Sequence, residues 1–174
     1  MEKSTKKWIL SYLAAAGAGI LLHFLFHWLP NPVLALVSPV RESVWEHVKL
    51  LYFPLLAVSL IQGRGGKGIG RAPWLLGMAA VCAILLGAGY LYHVVFLGES
   101  LYADLALYFV LLAVGFLLPR VLWPLCEWPG TDKAAVVLTV LLGVLIVWFT
   151  FFPPSGALFA DMSGALRTFL TIPV

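Results

Sequence analysis

Five runs of about 20 mostly apolar residues follow one another along the chain, each bounded by proline, glycine or charge. A helix of that length matches the roughly 30 Å hydrocarbon thickness of a bilayer, and in lipid only a helix or a closed barrel satisfies its own backbone. The runs are read as spans over residues 8–29, 43–62, 73–96, 101–123 and 134–152. Of the 174 residues, 62% are hydrophobic and 11% charged, so no water-soluble fold of this size hides the apolar excess. The expected fold class is all-α: one integral membrane domain over residues 1–174, a polytopic bundle of about five transmembrane helices with an interfacial tail at 155–174.

Orientation follows from where the basic residues fall. Lys3, Lys6, Lys7, Arg64, Lys67, Arg71, Arg120 and Lys133 lie on one side, against Arg41, Lys49 and Arg167 on the other. The positive-inside rule then places the amino terminus in the cytoplasm and, after an odd number of spans, the carboxyl terminus outside. Trp8, Trp28, Trp45, Trp74, Trp123 and Trp148 fall near span ends, as an aromatic belt requires. Pro54, inside the second span, removes a backbone donor and is expected to kink it. The basic residues are dispersed over short loops, which argues against a nucleic-acid partner and leaves the lipid bilayer as the surrounding medium. The loop GRGGKGIGR lacks the strand and helix context of a phosphate-binding turn and reads as a basic loop. Cys82 and Cys126 fall at different depths and are not expected to pair. The proline-rich segment 30–41 is expected to run along the outer interface. Leu158, Phe159, Met162, Leu166, Phe169 and Leu170 recur at helical spacing, which suits an amphipathic helix on the outer leaflet.

The ionisable residues of the spans gather at one depth. At about 1.5 Å per residue, His23, His27, Glu46, His47, Tyr90, His93 and Asp104 all lie about 7 to 13 Å outward of mid-bilayer, although they arrive on four helices of alternating direction. Such groups are costly in lipid; they tend to face the bundle interior and to mark function. His23 and His27 share one helix face, as do Glu42 and Glu46, with His47 about 100° round from Glu46. Two or three imidazoles and a carboxylate form a ligand set for zinc, which iron or manganese also use. Arg41 and Lys49 flank the carboxylates at headgroup level, either snorkelling or meeting a lipid phosphate.

The run SPVRESVWEHVKLLYFP, Ser38 to Pro54, resembles the signature of a family of small, multi-pass, uncharacterised bacterial membrane proteins. Its string is Pro-Val-x-Glu-Ser-Val-Trp-Glu-His-x-Lys-Leu, matched here from Pro39 to Leu50, with Arg41 where the family usually carries Asn. The resemblance implies a multi-pass protein of a bacterial plasma membrane and points at Glu42, Glu46 and His47. A looser chemical similarity is to membrane hydrolases related to alkaline ceramidase, whose zinc is held by histidines from several spans.

The leading functional expectation is a zinc-dependent membrane hydrolase acting on a lipid-like substrate from the outer leaflet. In it His23, His27 and His47 or His93 hold the metal, Glu46 is the general base, and Glu42 or Asp104 orients a ligand imidazole. The alternatives are a small proton- or cation-coupled transporter, for which a homodimer would give room, and a non-catalytic scaffold in which the cluster ties helices together.

Overall fold

A computed structural model describes residues 2–63 and 69–162. Arg64, Lys67, Ser163, Leu166, Arg167, Phe169 and Leu170 lie outside the described residues, and so does most of the expected amphipathic tail. The described chain is helical, with α1 Glu2–Trp28, α2 Pro32–Ala35, α3 Val44–Gln62, α4 Arg71–Gly89, α5 Leu101–Leu122 and α6 Thr131–Phe151. A π-helical turn, Tyr90–Val95, continues α4, and short 3₁₀ turns follow α5 at Trp123–Glu127 and α6 at Ala157–Phe159. Among the described residues five helices are long and apolar enough to cross a membrane, at positions within a few residues of the five expected spans. No strand occurs among them. Cys82 and Cys126 are both free thiols.

Helix α3 is the axis of the bundle. Two thirds of its apolar window (67%) is buried inside the protein, whereas α1 and α6 bury 17% and 22% of theirs and leave the rest to lipid. It packs against α1, α4 and α6, and α4 packs on α5. Val48, Leu51 and Leu55 of α3 meet Met78 and Val81 of α4 and Leu112 of α5 in one continuous core. Hydroxyls tie neighbouring helices through backbone carbonyls: Tyr52 donates to Thr139 (2.9 Å), Tyr108 to Ala16 (3.0 Å) and Tyr12 to Phe109 (3.2 Å). In lipid such bonds contribute to association where hydrophobic contrast cannot. Pro54 lies buried within α3, which continues unbroken to Gln62.

Two expectations are corrected. Trp45 and Trp74 are not belt residues but core residues, 7% and 2% exposed. Trp45 packs on Phe149 and Phe159, and Trp74 on Trp8 and Phe116, so their rings face other helices instead of headgroups. The segment 30–41 does not simply lie on the interface. Asn31 caps α2 by accepting from Val33 and Leu34, and the chain then turns inward to bury Ala35, Ser38 and Pro39.

The reason for that inward turn is Lys49. Its side chain is 0% exposed, and its ammonium donates to the Ala35 carbonyl (2.8 Å), the Ser38 carbonyl (3.1 Å) and Glu46 Oε2 (2.8 Å). Glu46 Oε2 also accepts from Val40 N (2.9 Å). A buried ammonium is tolerable only when paired and fully hydrogen-bonded, and irregular backbone at membrane depth only when buried in protein; each condition meets the other's need. Lys49 is therefore neither snorkelling nor bound to a lipid phosphate.

Gly19 allows α1 to approach α3 and α5. A Cβ there would lie 2.8 Å from the Leu50 carbonyl oxygen and collide with the Tyr108 hydroxyl, whereas a Cβ on Gly17 would meet open space. Gly19→Ala should therefore lower stability by about 1–3 kcal/mol while Gly17→Ala does not, read from thermal unfolding in detergent. Lys49→Met, which strands the Glu46 charge, should cost about 3–5 kcal/mol. Adding Glu46→Gln to it should restore part of that loss in the same assay.

Candidate metal centre and its cavity

The site lies at the end of the bundle where α1 finishes and α3 begins. Ser43 caps α3, its hydroxyl accepting from Glu46 N (3.3 Å), and this start sets Glu42 just before the helix and His47 on its first turn. His47 Nδ1 lies 2.7 Å from the Ser43 carbonyl oxygen, and Nε2 lies 3.3 Å from Glu42 Oε2. A carbonyl only accepts, so Nδ1 carries a proton, and Nε2 is turned toward the carboxylate, to which it donates when it is protonated as well.

His23 of α1 completes the group, its ring centroid 5.5 Å from that of His47. Nδ1 of His23 is buried without a hydrogen-bond partner, a condition that buried polar nitrogens rarely show. His23, Glu42 and His47 each present one ligand atom such that all three atoms lie within 4.8 Å of one another. Ser38 fixes α1 at this level. Its hydroxyl donates to the Leu22 carbonyl and accepts from Phe26 N (3.0 Å), so it is inserted into the α1 ladder on either side of His23.

Two hollows meet at Glu42. A cavity of about 550 Å³ between α3, α4 and α5 is walled by Leu50, Leu85 and Leu107 and carries Glu42, His47, His93 and Asp104. A more polar pocket of about 380 Å³ outside it is lined by His23, His27, Arg41, Glu42 and Asp161. The three-ligand group thus forms the partition between an apolar hollow and a polar one. Met162 N donates to the Glu42 carbonyl (2.7 Å), which ties the segment after α6 to this partition, and Arg41 Nη2 donates to the Thr150 carbonyl (2.9 Å).

The other candidates separate from this group. His27, one turn beyond His23, is exposed and borders the polar pocket outside the 4.8 Å group. His93 and Asp104 contact each other instead, Nε2 to Oδ1 at 3.0 Å. Glu46, read as a general base, lines neither hollow, and its carboxylate is engaged by Lys49 and Val40. Ser38, which sequence reasoning does not single out, and Lys49, read from the sequence as snorkelling or meeting a lipid phosphate, instead hold the loop and α1 at the level of the site. The legible signal for Lys49 was a lysine three residues after a glutamate inside an apolar run, a spacing that pairs them on one helix face.

Glu42 precedes α3, and its carboxyl is held below the usual carboxylate range by the hydrogen bond from His47. Attraction to His47 and His23 adds to this, while partial burial and Asp161 oppose it. A depressed carboxyl contributes stability that is present above its ordinary value of about 4.3 and lost as pH falls through the lower, folded value. The stability difference between wild type and Glu42→Gln should therefore shrink as pH falls below about 4, as followed by thermal unfolding in detergent across pH.

A family model described as "Family of unknown function (DUF6512)" matches residues 1–166. No curated protein matches the chain, and no solved structure does. The chain belongs to this family of unknown function.

Proposed function

We propose that this member of a family of unknown function is a membrane-embedded, metal-dependent hydrolase of a lipid-like ester or amide. The observation that carries the reading is the partition described above: two imidazoles and one carboxylate, with ligand atoms within 4.8 Å, set between an apolar hollow and a polar one. Two histidines and a glutamate are a ligand set of hydrolytic zinc sites, which keep the fourth position open for water or substrate. His47 has the supporting contact such ligands need, since its Nδ1–H donates to the Ser43 carbonyl and so turns Nε2 to the site. His23 Nδ1 is buried without a partner, and a metal bound through that nitrogen would supply one.

Zinc held there would polarise a carbonyl oxygen and bring the pKa of a bound water to about 7. The chain's own residues do the rest. The leucines of the cavity take the hydrocarbon part of the substrate, the pocket with Arg41 and His27 takes its polar end, and the bond to be cut comes to lie beside Glu42. All three ligands come from one chain, so the site needs no second copy. Glu46 is assigned to the scaffold. The excess of basic residues on the opposite side favours a site facing the outer leaflet of a bacterial plasma membrane.

Proton- or cation-coupled transport is the second reading, favoured by the presence of two imidazole–carboxylate pairs in one cavity. Elemental analysis separates the two. Detergent-purified wild type should carry near one equivalent of zinc. His23→Ala, Glu42→Ala and His47→Ala should each lose it, while His27→Ala and His93→Ala keep it. Wild type free of metal after incubation with zinc would overturn the hydrolase and leave the proton-coupled reading.

A further inference from the structure

The cavity that holds Glu42 and His47 carries a second imidazole set between a carbonyl and a carboxylate. His93 Nδ1 lies 2.9 Å from the Gly98 carbonyl oxygen, and Nε2 lies 3.0 Å from Asp104 Oδ1. Because the carbonyl only accepts, Nδ1 holds a proton. The 3.0 Å contact on the other side then needs a second proton between Nε2 and Oδ1, since two lone pairs do not approach that closely. The pair therefore stores one transferable proton. It differs from His47 and Glu42 in that no third ligand residue converges on it among the described residues. His93 is 16% exposed at its side chain and Asp104 41%, so the pair sits at the cavity wall and reaches solvent on the Asp104 side.

The backbone around His93 departs from what a membrane span requires. The turn Tyr90–Val95 is π-helical, with Phe96 N donating to the Leu91 carbonyl (2.9 Å) and Gly98 N to the Tyr92 carbonyl (2.8 Å). Leu97 follows at φ 52°, in the left-handed region that non-glycine residues rarely occupy. Tyr92 Oη accepts from Ser100 N (3.0 Å) and braces the loop that brings the Gly98 carbonyl to His93. Single π-helical turns and left-handed side chains persist where surrounding contacts over-determine them, frequently at functional sites.

We propose that His93 and Asp104 are the general-acid pair of the hydrolase, delivering the proton that the leaving group needs. This rests on the hydrolase reading above. The oxygen of water bonds to the acyl carbon, and the bond from that carbon to the leaving oxygen or nitrogen breaks with its electron pair on the leaving atom. That atom takes the proton stored between Nε2 and Oδ1, leaving a neutral imidazole and a carboxylate. The proton that the water gives up on attacking the acyl carbon passes to solvent and from there restores the pair, so the sum is ester or amide plus water giving acid plus alcohol or amine.

The test uses the zinc-loaded full chain in detergent and three substrates built on one medium-chain fatty acid: the p-nitrophenyl ester, the glyceryl ester and the ethanolamide. p-Nitrophenolate leaves without a proton, whereas glycerol and ethanolamine do not. His93→Gln and Asp104→Asn should each lose about 100-fold or more in kcat/KM on the glyceryl ester and ethanolamide, but less than about three-fold on the p-nitrophenyl ester, the span expected of general acid catalysis. Zinc content should stay at the wild-type level in both variants. Equal loss on all three substrates would make the pair structural, and wild-type rates in both variants would make it idle; either result overturns the proposal while leaving the hydrolase standing. A zinc-bound wild type that cleaves none of the three would remove the hydrolase reading and this pair's role with it.

Discussion

A single ammonium group buried at membrane depth governs how this bundle closes. Lys49 sits in the second turn of the most buried helix with no exposed side-chain surface, and it needs three acceptors there. Glu46 supplies one; the other two are backbone carbonyls, which obliges the chain between α2 and α3 to fold down onto α3. That loop in turn brings Ser38 into the hydrogen-bond ladder of α1, on either side of His23. The spacing of His23 from His47 is therefore set by the demands of a charge that lies in neither hollow. An ion pair replaced by apolar side chains could be as stable, but it would not pull the loop inward, and α1 would have no anchor at the level of the site.

Level along the bundle is legible in the sequence; rotation about each helix is not. Counting residues from the span ends brings His23, Glu46, His47, His93 and Asp104 to one level, because rise per residue is nearly constant. Which of them meet depends on the angle at which each helix presents its face, and that is decided by packing. Thus His23 and His47 adjoin, while His27, on the same face one turn away, borders the outer pocket where α1 ends. Glu46 and Glu42 share a face by spacing, yet one turns to Lys49 and the other to His47. Trp45 and Trp74 show the same limit. Their position near span ends fits an interfacial belt, and only the neighbours Phe149, Phe159 and Phe116 reveal that they face inward. The segment 30–41 reads as interfacial because its composition is apolar and proline-rich; its inward turn depends on a lysine eight residues beyond it, which local pattern does not register.

The two ends of the bundle are built to opposite purposes. At the end away from the site, Trp8, Trp74 and Phe116 stack within 6.0 Å of one another, and Arg120 lies 4.3 Å over the Trp8 ring. Aromatic rings in such edge and tilted arrangements bury much area and add pairwise attraction beyond it. At the other end α3, α4 and α5 enclose a cavity that carries carboxylates and imidazoles, groups that are costly against hydrocarbon. The aromatic plug holds α1, α4 and α5 together where no chemistry is needed, while α3, α4 and α5 enclose the cavity at the opposite end.

The π-helical turn at Tyr90–Val95 uncouples two tasks that one helix would otherwise have to share. In a regular helix every side chain's direction is set by those before it, in steps of about 100°, so the stripe that packs in the core also dictates what faces the cavity. Widening one turn resets the phase. The residues of α4 that pack between α3 and α5 can then drift under selection for volume alone, while His93 and the loop that follows keep an orientation of their own.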